Sequence, residues 1–274
     1  MSNIFQIPVL FRQNLFRSEK ISTIANFLIK TMNMKKFSLP FFLLIFAVSL
    51  TAQEVWLEAA LKGGYGASFL VNKNILDDDS YNYHATPAYN FGGKLAVNFG
   101  PFNGISLEGF LTKAGQDFDY SLPLPLGDYE NKISWKSLDA LLLYRHINNR
   151  VYFELGPMYS TVRSVEQFDL ETQLTNPKDN YEKNYLSGVL GFGGYVAGAE
   201  TFSLGLGIRL HYGLTDFVND KGKELGFPNP SSNYESDAVT RPAFAEFMVE
   251  FNFGIGHWAR TSCSERMKFF RSGR

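Results

Sequence analysis

The sequence predicts an all-β protein: an up-and-down antiparallel barrel of about eight strands that crosses a membrane. Three observations support this prediction. Apolar and polar residues alternate at a period of two along several segments, and the polar connections between these segments are long and short in turn. In addition, no uninterrupted apolar run reaches the roughly 18–20 residues of a transmembrane helix. A chain of this kind can span a bilayer only as strands closed into a barrel.

Composition narrows the class of function. Aromatic residues make up 16% of the chain and charged residues 19%, and the formal net charge is −1 at pH 7. A chain so nearly neutral gives no electrostatic case for binding nucleic acid. The single cysteine, Cys263, can form no intramolecular disulfide and has no companions for a metal site. We therefore expect no cofactor, no metal and no nucleic-acid partner.

The N-terminal region carries a targeting signal. Lys35 and Lys36 precede the apolar run LPFFLLIFAVSL, which is followed by the small residue Ala52. A basic segment, about a dozen apolar residues and a small residue predict a signal peptide over residues 34–52, with a buried core helix as the alternative. Residues 1–33 are then a gene-model extension or an amphipathic leader, and no cysteine near the cleavage point could accept a lipid anchor.

The clearest strand is the segment FSLGLGIRLHYGLT, residues 202–215. Every second residue from Phe202 to Leu214 is apolar, whereas the opposite face carries Arg209, His211 and several glycines. The segment exceeds the five or six residues of an average strand and suits a crossing of roughly 9–11 residues. An apolar outer face and a polar inner face are typical of a transmembrane barrel.

The other strands follow in order along the mature chain, residues 53–258, before a basic tail over residues 259–274. A long polar loop follows the first strand and ends at Pro87, and the loop YSLPLPLGDYEN follows the third. Asn148 to Arg150 form a compact turn, and the longest loop precedes the last strand. The predicted strands cover residues 55–69, 91–99, 105–112, 133–147, 151–160, 185–198, 202–215 and 245–255.

The connections fix the orientation of the barrel. Long loops follow the first, third, fifth and seventh strands, and short turns follow the second, fourth and sixth. This alternation predicts a closed barrel with short periplasmic turns and long extracellular loops, located in the cell outer membrane. An even number of strands removes the sheet edges that lipid cannot accommodate.

Ten charged residues are predicted to face the barrel interior. An eight-stranded barrel is just wide enough to be filled by side chains, so these charges must pair with one another or with trapped water. Two interpretations are open, a structural network of ion pairs and a narrow ion path, and the narrow barrel favours the network. The residues are Glu58, Lys62, Lys94, Glu108, Asp139, Arg145, Glu154, Arg209, Glu246 and Glu250.

No enzymatic motif emerges from the histidines or the glycines. His84 lies near an acidic run, His146 and His257 lie at strand ends, and His211 faces inward, but none stands in a recognisable catalytic pattern. The glycines of GFGG, residues 191–194, lie within a strand, where they relieve crowding rather than bind phosphate. Aromatic residues near strand ends favour two interfacial girdles over a carbohydrate platform.

The chain resembles the small outer-membrane β-barrel proteins of Gram-negative bacteria, the porin-family or outer-membrane β-barrel domain proteins. The resemblance rests on the signal peptide, the opening strand LKGGYGASF, the alternation of loops and the closing strand FAEFMVEFNFGIG. Members of that family commonly end on an aromatic residue of the last strand. This chain departs from the pattern, because it continues through TSCSERMKFFRSGR.

The sequence therefore predicts a non-enzymatic integral outer-membrane protein that presents loops for adhesion, ligand capture or membrane organisation. The alternatives are a small channel or an accessory component of a transport or secretion machine, a lipid-modifying enzyme, and a soluble barrel with an apolar interior. Expected partners are outer-membrane lipid and the barrel-assembly machinery, with an extracellular ligand or secretion-machine partner of unknown identity.

Overall fold

The computed structural model describes residues 55–122, 127–199, 202–231 and 238–259. The predicted leader and signal peptide, over residues 1–52, and the tail beyond residue 259 lie outside the described residues. Among the residues that the structure describes, no helix is long and apolar enough to cross a bilayer.

Eight long antiparallel strands close into a ring, so the predicted fold class is confirmed. The first strand pairs with the last over its whole length, from Val55 opposite Ala259 to Asn72 opposite Thr240. The eight strands are β1 (Val55–Asn72), β3 (Thr86–Phe99), β4 (Asn103–Leu122), β5 (Gly127–Asn148), β6 (Val151–Asp169), β8 (Asn184–Gly198), β9 (Phe202–Gly213) and β10 (Thr240–Ala259).

Short elements lie in the connections at the loop end of the barrel. Helix α1 begins after Asn72, whose side chain accepts hydrogen bonds from the first free amides of the helix. In α2, Asn219 has the same capping role. The elements are α1 (Lys73–Leu76), β2 (Tyr81–His84), β7 (Thr172–Gln173), a 3₁₀ helix (Pro177–Asn180) and α2 (Asp220–Glu224).

The outer surface of the barrel carries an apolar belt. Large apolar side chains point outward on every second residue, and Leu111, for example, is 65% exposed. Exposed tyrosines lie at the edge nearest the loops, whereas Phe153, Phe253 and Tyr144 lie at the edge nearest the short turns. An apolar band between two aromatic edges matches the lipid-facing surface of a transmembrane barrel. The tyrosines at the loop edge are Tyr65, Tyr89, Tyr159 and Tyr212.

Strands β4, β5 and β6 extend well beyond this belt. They have 20, 22 and 19 residues, about twice the roughly 9–11 residues that a crossing needs. Their outer ends form an external sheet in the order β2-β4-β5-β6-β7. Much of the predicted loop YSLPLPLGDYEN is therefore strand: β4 continues to Leu122 and β5 starts at Gly127. The extension holds because Tyr120 packs inward and β2 pairs alongside β4.

Candidate functional site: the barrel interior and its outer mouth

The lower half of the barrel interior is filled by a closed ring of alternating charges. Glu250 contacts Arg145 at 2.7 Å, and Arg145 contacts Glu154 at 2.7 Å. From Glu154 the ring continues to Arg209 and Glu108. Lys62 then closes the ring between Glu108 and Glu250. Arg209 lies 2.5 Å from Glu154 and 2.9 Å from Glu108, and Lys62 lies 2.7 Å from Glu108 and 3.1 Å from Glu250.

Two further charges attach to this ring. Lys94 donates to Glu250 at 2.6 Å and also bonds to Glu58. The resulting network contains four carboxylates and four cations, so its formal charge is zero. All eight side chains are buried. They come from β1, β3, β4, β5, β6, β9 and β10, so the network crosses the lumen from wall to wall. We call these eight residues the charge network.

Small and aromatic residues shape the space around the charge network. A Cβ atom at Gly191 would lie 2.4 Å from Cγ of Glu154, so only glycine leaves room for that side chain. At Gly191 the absence of a side chain therefore relieves crowding, as the sequence predicts for the glycines of GFGG. Below the network, the guanidinium of Arg145 lies 4.1 Å from the ring centre of Tyr152, and its Nη1 donates to the hydroxyl of Tyr195 at 3.2 Å.

The other two of the ten predicted interior charges form a separate middle layer. The side-chain nitrogen of Asn90 donates to each carboxylate oxygen of Glu246 at 2.8 Å. The same carboxylate lies 3.2 Å from Nε2 of His211. Asp139 accepts from the hydroxyl of Thr112 at 2.5 Å. Neither carboxylate is paired with a lysine or arginine among the described residues, so the layer differs in character from the charge network below it.

Aromatic side chains fill the interior toward the loop end. Trp135 packs against Phe217 with ring centres 5.1 Å apart, and Tyr181 packs against Phe217 at the same distance. Phe227 meets Tyr181 edge-on at 5.6 Å. Phe217 and Phe227 belong to the connection between β9 and β10, which the sequence analysis treated as an external loop. That connection turns inward and covers the mouth of the barrel.

Hydrogen bonds fix this connection in the mouth. The carbonyl of Pro228 accepts from the side chain of Gln167 at 2.7 Å, and Asn229 Oδ1 accepts from Asn131 at 3.1 Å. At a second point, Asp169 accepts from Tyr120 at 2.6 Å and from Ser231 at 2.5 Å. Sequence reasoning missed this lid, because its anchors lie some 60 to 100 residues away along the chain. We call residues 216–231 the inner lid.

Two histidines pair with carboxylates among the described residues. His211 contacts the carboxylate of Glu246 at 3.2 Å and the sulfur of Met158 at 3.2 Å. His84 pairs with Asp119 at 2.8 Å on the external sheet rather than with the acidic run that follows α1. No cluster of His, Cys, Asp or Glu side chains within the described ranges could hold a metal ion.

Three features occur together in this barrel. Its outer surface carries an apolar belt, its interior holds buried charges, and its strands close into a ring. Such a surface requires lipid outside, and closed antiparallel barrels of this design belong to outer membranes. The chain folds as a closed β-barrel with the surface of a membrane-spanning barrel. Its short turns lie at one end of the barrel, and its loops and external sheet lie at the other end.

Comparisons with known proteins find solved barrels of low similarity. Neisserial surface protein A is 10% identical and covers 71% of this chain and 95% of its own, with a TM-score of 0.35. Ail, the attachment invasion locus protein of Yersinia pestis, is 14% identical over 72% and 98%, with a TM-score of 0.33. OprG from Pseudomonas aeruginosa is 15% identical over 74% and 96%, with a TM-score of 0.32.

Similarity at this level carries no inference about what this chain does. No protein-family model matches the chain, and no curated protein matches it. Its function has to be argued from its own geometry.

Proposed function

We propose that this protein is a non-enzymatic outer-membrane barrel that acts through its external surface, by adhesion or ligand capture. The observation that carries the proposal is the filling of the lumen at three heights. The charge network, the middle layer and the inner lid together occupy the interior from the periplasmic half to the mouth. This filling of the lumen favours a role at the external surface over conduction of a solute.

The external sheet provides the surface for such a role. It rises beyond the belt on β4, β5 and β6, and its edges are β2 and β7. Tyrosine and phenylalanine rings, such as those of Tyr81 and Phe118, pack on its inner side. A packed and hydrogen-bonded sheet presents outward side chains in fixed positions, which lowers the entropic penalty of binding compared with a flexible loop.

The test is to shorten this sheet without opening the barrel. A variant that replaces residues 116–133 by Asn-Gly keeps the part of the β4–β5 hairpin that crosses the lipid. It removes Tyr120 and Asn131 but keeps Gln167, which still holds Pro228 of the inner lid. Cells that carry the wild-type protein in the outer membrane should bind components of an array of glycans and extracellular-matrix proteins. Cells that carry the shortened variant should lose that binding while the barrel still resists unfolding by detergent without boiling.

A channel is the alternative that this proposal must exclude. Purified wild-type protein in planar bilayers should give no conductance steps. Discrete steps in the wild-type protein would contradict the proposal and favour the transport alternative, and altered acyl chains in the lipid A of expressing cells would favour an enzyme.

A further inference from the structure

A row of basic side chains lies on the outer face of the barrel, directly above the apolar belt at its loop side. Lys113 on β4 is paired opposite Lys136 on β5, and both are exposed. The next outward pair toward the membrane is Leu111 opposite Leu138, which belongs to the belt. The basic row therefore lies at the height where the hydrocarbon ends and the lipid headgroups begin.

Two more cations extend this row, one on the neighbouring strand β6 and one in the 3₁₀ helix above it. Lys136 is paired with Ser164 on β6, at a register shift that turns Arg163 outward. The Nζ atom of Lys178, from the 3₁₀ helix, donates to the backbone carbonyl of Arg163 at 2.8 Å. Four positive side chains thus cluster on three neighbouring strands and the segment above them. We call Lys113, Lys136, Arg163 and Lys178 the basic row.

The basic row has no close ion-pair partner among the described residues. Among the described residues, no carboxylate lies within 4.0 Å of any of these four side-chain cations. By contrast, Lys132, the next outward lysine of β5, lies 2.6 Å from Glu130. Like charges directly opposite one another destabilise a strand pair, so Lys113 and Lys136 repel each other unless an anion lies between them.

The position of the row identifies the anion. Lysine and arginine side chains at a membrane edge extend along the apolar surface and place their charged ends among the headgroups. Those ends are good ligands for phosphate oxygens, and they attract anionic lipid from the surrounding leaflet. A free anion would have to find the row from bulk water, whereas a lipid is held beside it by the belt.

We infer that the basic row is a binding site for the phosphate groups of an anionic lipid in the outer leaflet, held against β4, β5 and β6. The site does not depend on the role proposed for the external sheet. It places the bound lipid phosphate on the side of the barrel that β4, β5 and β6 form.

The experiment compares two double variants of the full chain that remove equal charge. One is Lys113→Gln/Lys136→Gln. The control is Lys73→Gln/Lys221→Gln, two exposed lysines in α1 and α2, away from the belt. Each protein is transferred to neutral detergent, diphosphorylated lipid A is added, and the retained lipid is counted by native mass spectrometry.

The wild-type protein and the control should retain the lipid equally, and the basic-row variant should bind it roughly tenfold more weakly. In neutral detergent without lipid, the basic-row variant should unfold no more easily than wild type, since its substitutions remove a repulsion. That second measurement separates loss of the site from loss of the fold.

Three results would overturn the inference. Equal retention by both double variants would show that the row is not the site. Equal retention of lipid A and of the same glycolipid without its phosphates would show that phosphate is not recognised. Displacement of the lipid by inorganic phosphate at equal concentration would show a site for the free ion rather than for the lipid.

Discussion

At the scale of single residues, the barrel depends on the charge network, in which each buried charge contacts an opposite charge. Glu250 contacts three cations, Lys62, Lys94 and Arg145, and it is 0% exposed. Removing water from so many charges is unfavourable, and only close pairing offsets that penalty. Although the charge network has no net charge, the loss of one charged group leaves its partners buried and unpaired. Such a loss should therefore lower the stability of the fold strongly.

Glu250→Gln removes one charge from the charge network with little change in volume. Three buried cations then share too few carboxylates, and the variant should lose about 3–5 kcal/mol of unfolding free energy. The measurement is urea unfolding of the barrel in lipid vesicles, followed by tryptophan fluorescence. Glu166→Gln, at an exposed position of β6, is the matched control. Equal unfolding midpoints for the two variants would contradict the importance of the network.

Gly191→Ala tests the fit of the charge network against β8. The added Cβ would lie 2.4 Å from Cγ of Glu154, so this side chain must move away from its partners. The expected loss is about 1–3 kcal/mol, the usual effect of overpacking. Gly188→Ala on the same strand is the control, since its nearest neighbour would lie 4.0 Å away. The same unfolding assay applies, and a similar loss in both variants would argue against a specific clash.

At the scale of elements, the inner lid closes the mouth through buried tyrosines. Tyr120 donates to Asp169 at 2.6 Å, and Tyr181 donates to Gln167 at 2.8 Å. Burial, reinforced for Tyr120 by its hydrogen bond to Asp169, raises the pKa of Tyr120, and burial raises the pKa of Tyr181 well above its usual value. Both hydroxyls can donate only while they keep their protons.

The inner lid should therefore open in alkali. The pKa of each tyrosine is higher in the folded protein than the ordinary value of about 10, so its stabilising contribution is complete below about pH 10 and is lost as the pH rises further. Fluorescence of Trp135, which packs against Phe217, should change above that pH. In Tyr120→Phe/Tyr181→Phe the alkaline change should disappear, and its persistence would assign the transition to other groups.

The sequence alone predicts the strand segments that lipid surrounds. There, every second residue must be apolar, so the alternation from Phe202 to Leu214 defines both the strand and its outer face. It does not predict the strand segments of which both sides face protein or water. The prolines of YSLPLPLGDYEN favoured a loop, yet strand pairing extends β4 to Leu122 and begins β5 at Gly127.

The sequence predicts which charged residues face the interior, but it does not predict which of them form ion pairs. Alternation placed ten charges inside, and the structure brings eight of them into the charge network while Glu246 and Asp139 lie in the middle layer. Which carboxylate meets which cation depends on the stagger of strands around the ring, and alternation within one strand does not encode it. The contact of Phe227 with Tyr181 is equally invisible, because the inner lid has no periodicity.

At the scale of the whole molecule, the structure combines a lipid-facing belt, a filled interior and an asymmetric external sheet. Burying the charges and exposing the apolar residues is the reverse of a soluble protein. This distribution of residues is stable only if the protein resides in the membrane as a closed barrel. Closed membrane barrels unfold only as a unit, because every backbone hydrogen bond is made within the ring.

The most direct measurement is fractionation of expressing cells, followed by gel electrophoresis of the membrane fraction with and without boiling. We predict that the protein is recovered in the outer membrane and that its band shifts on boiling, as a compact barrel becomes an extended chain. Recovery as a soluble periplasmic protein with no shift would contradict the central claim, because the outward apolar belt would then have no lipid to contact.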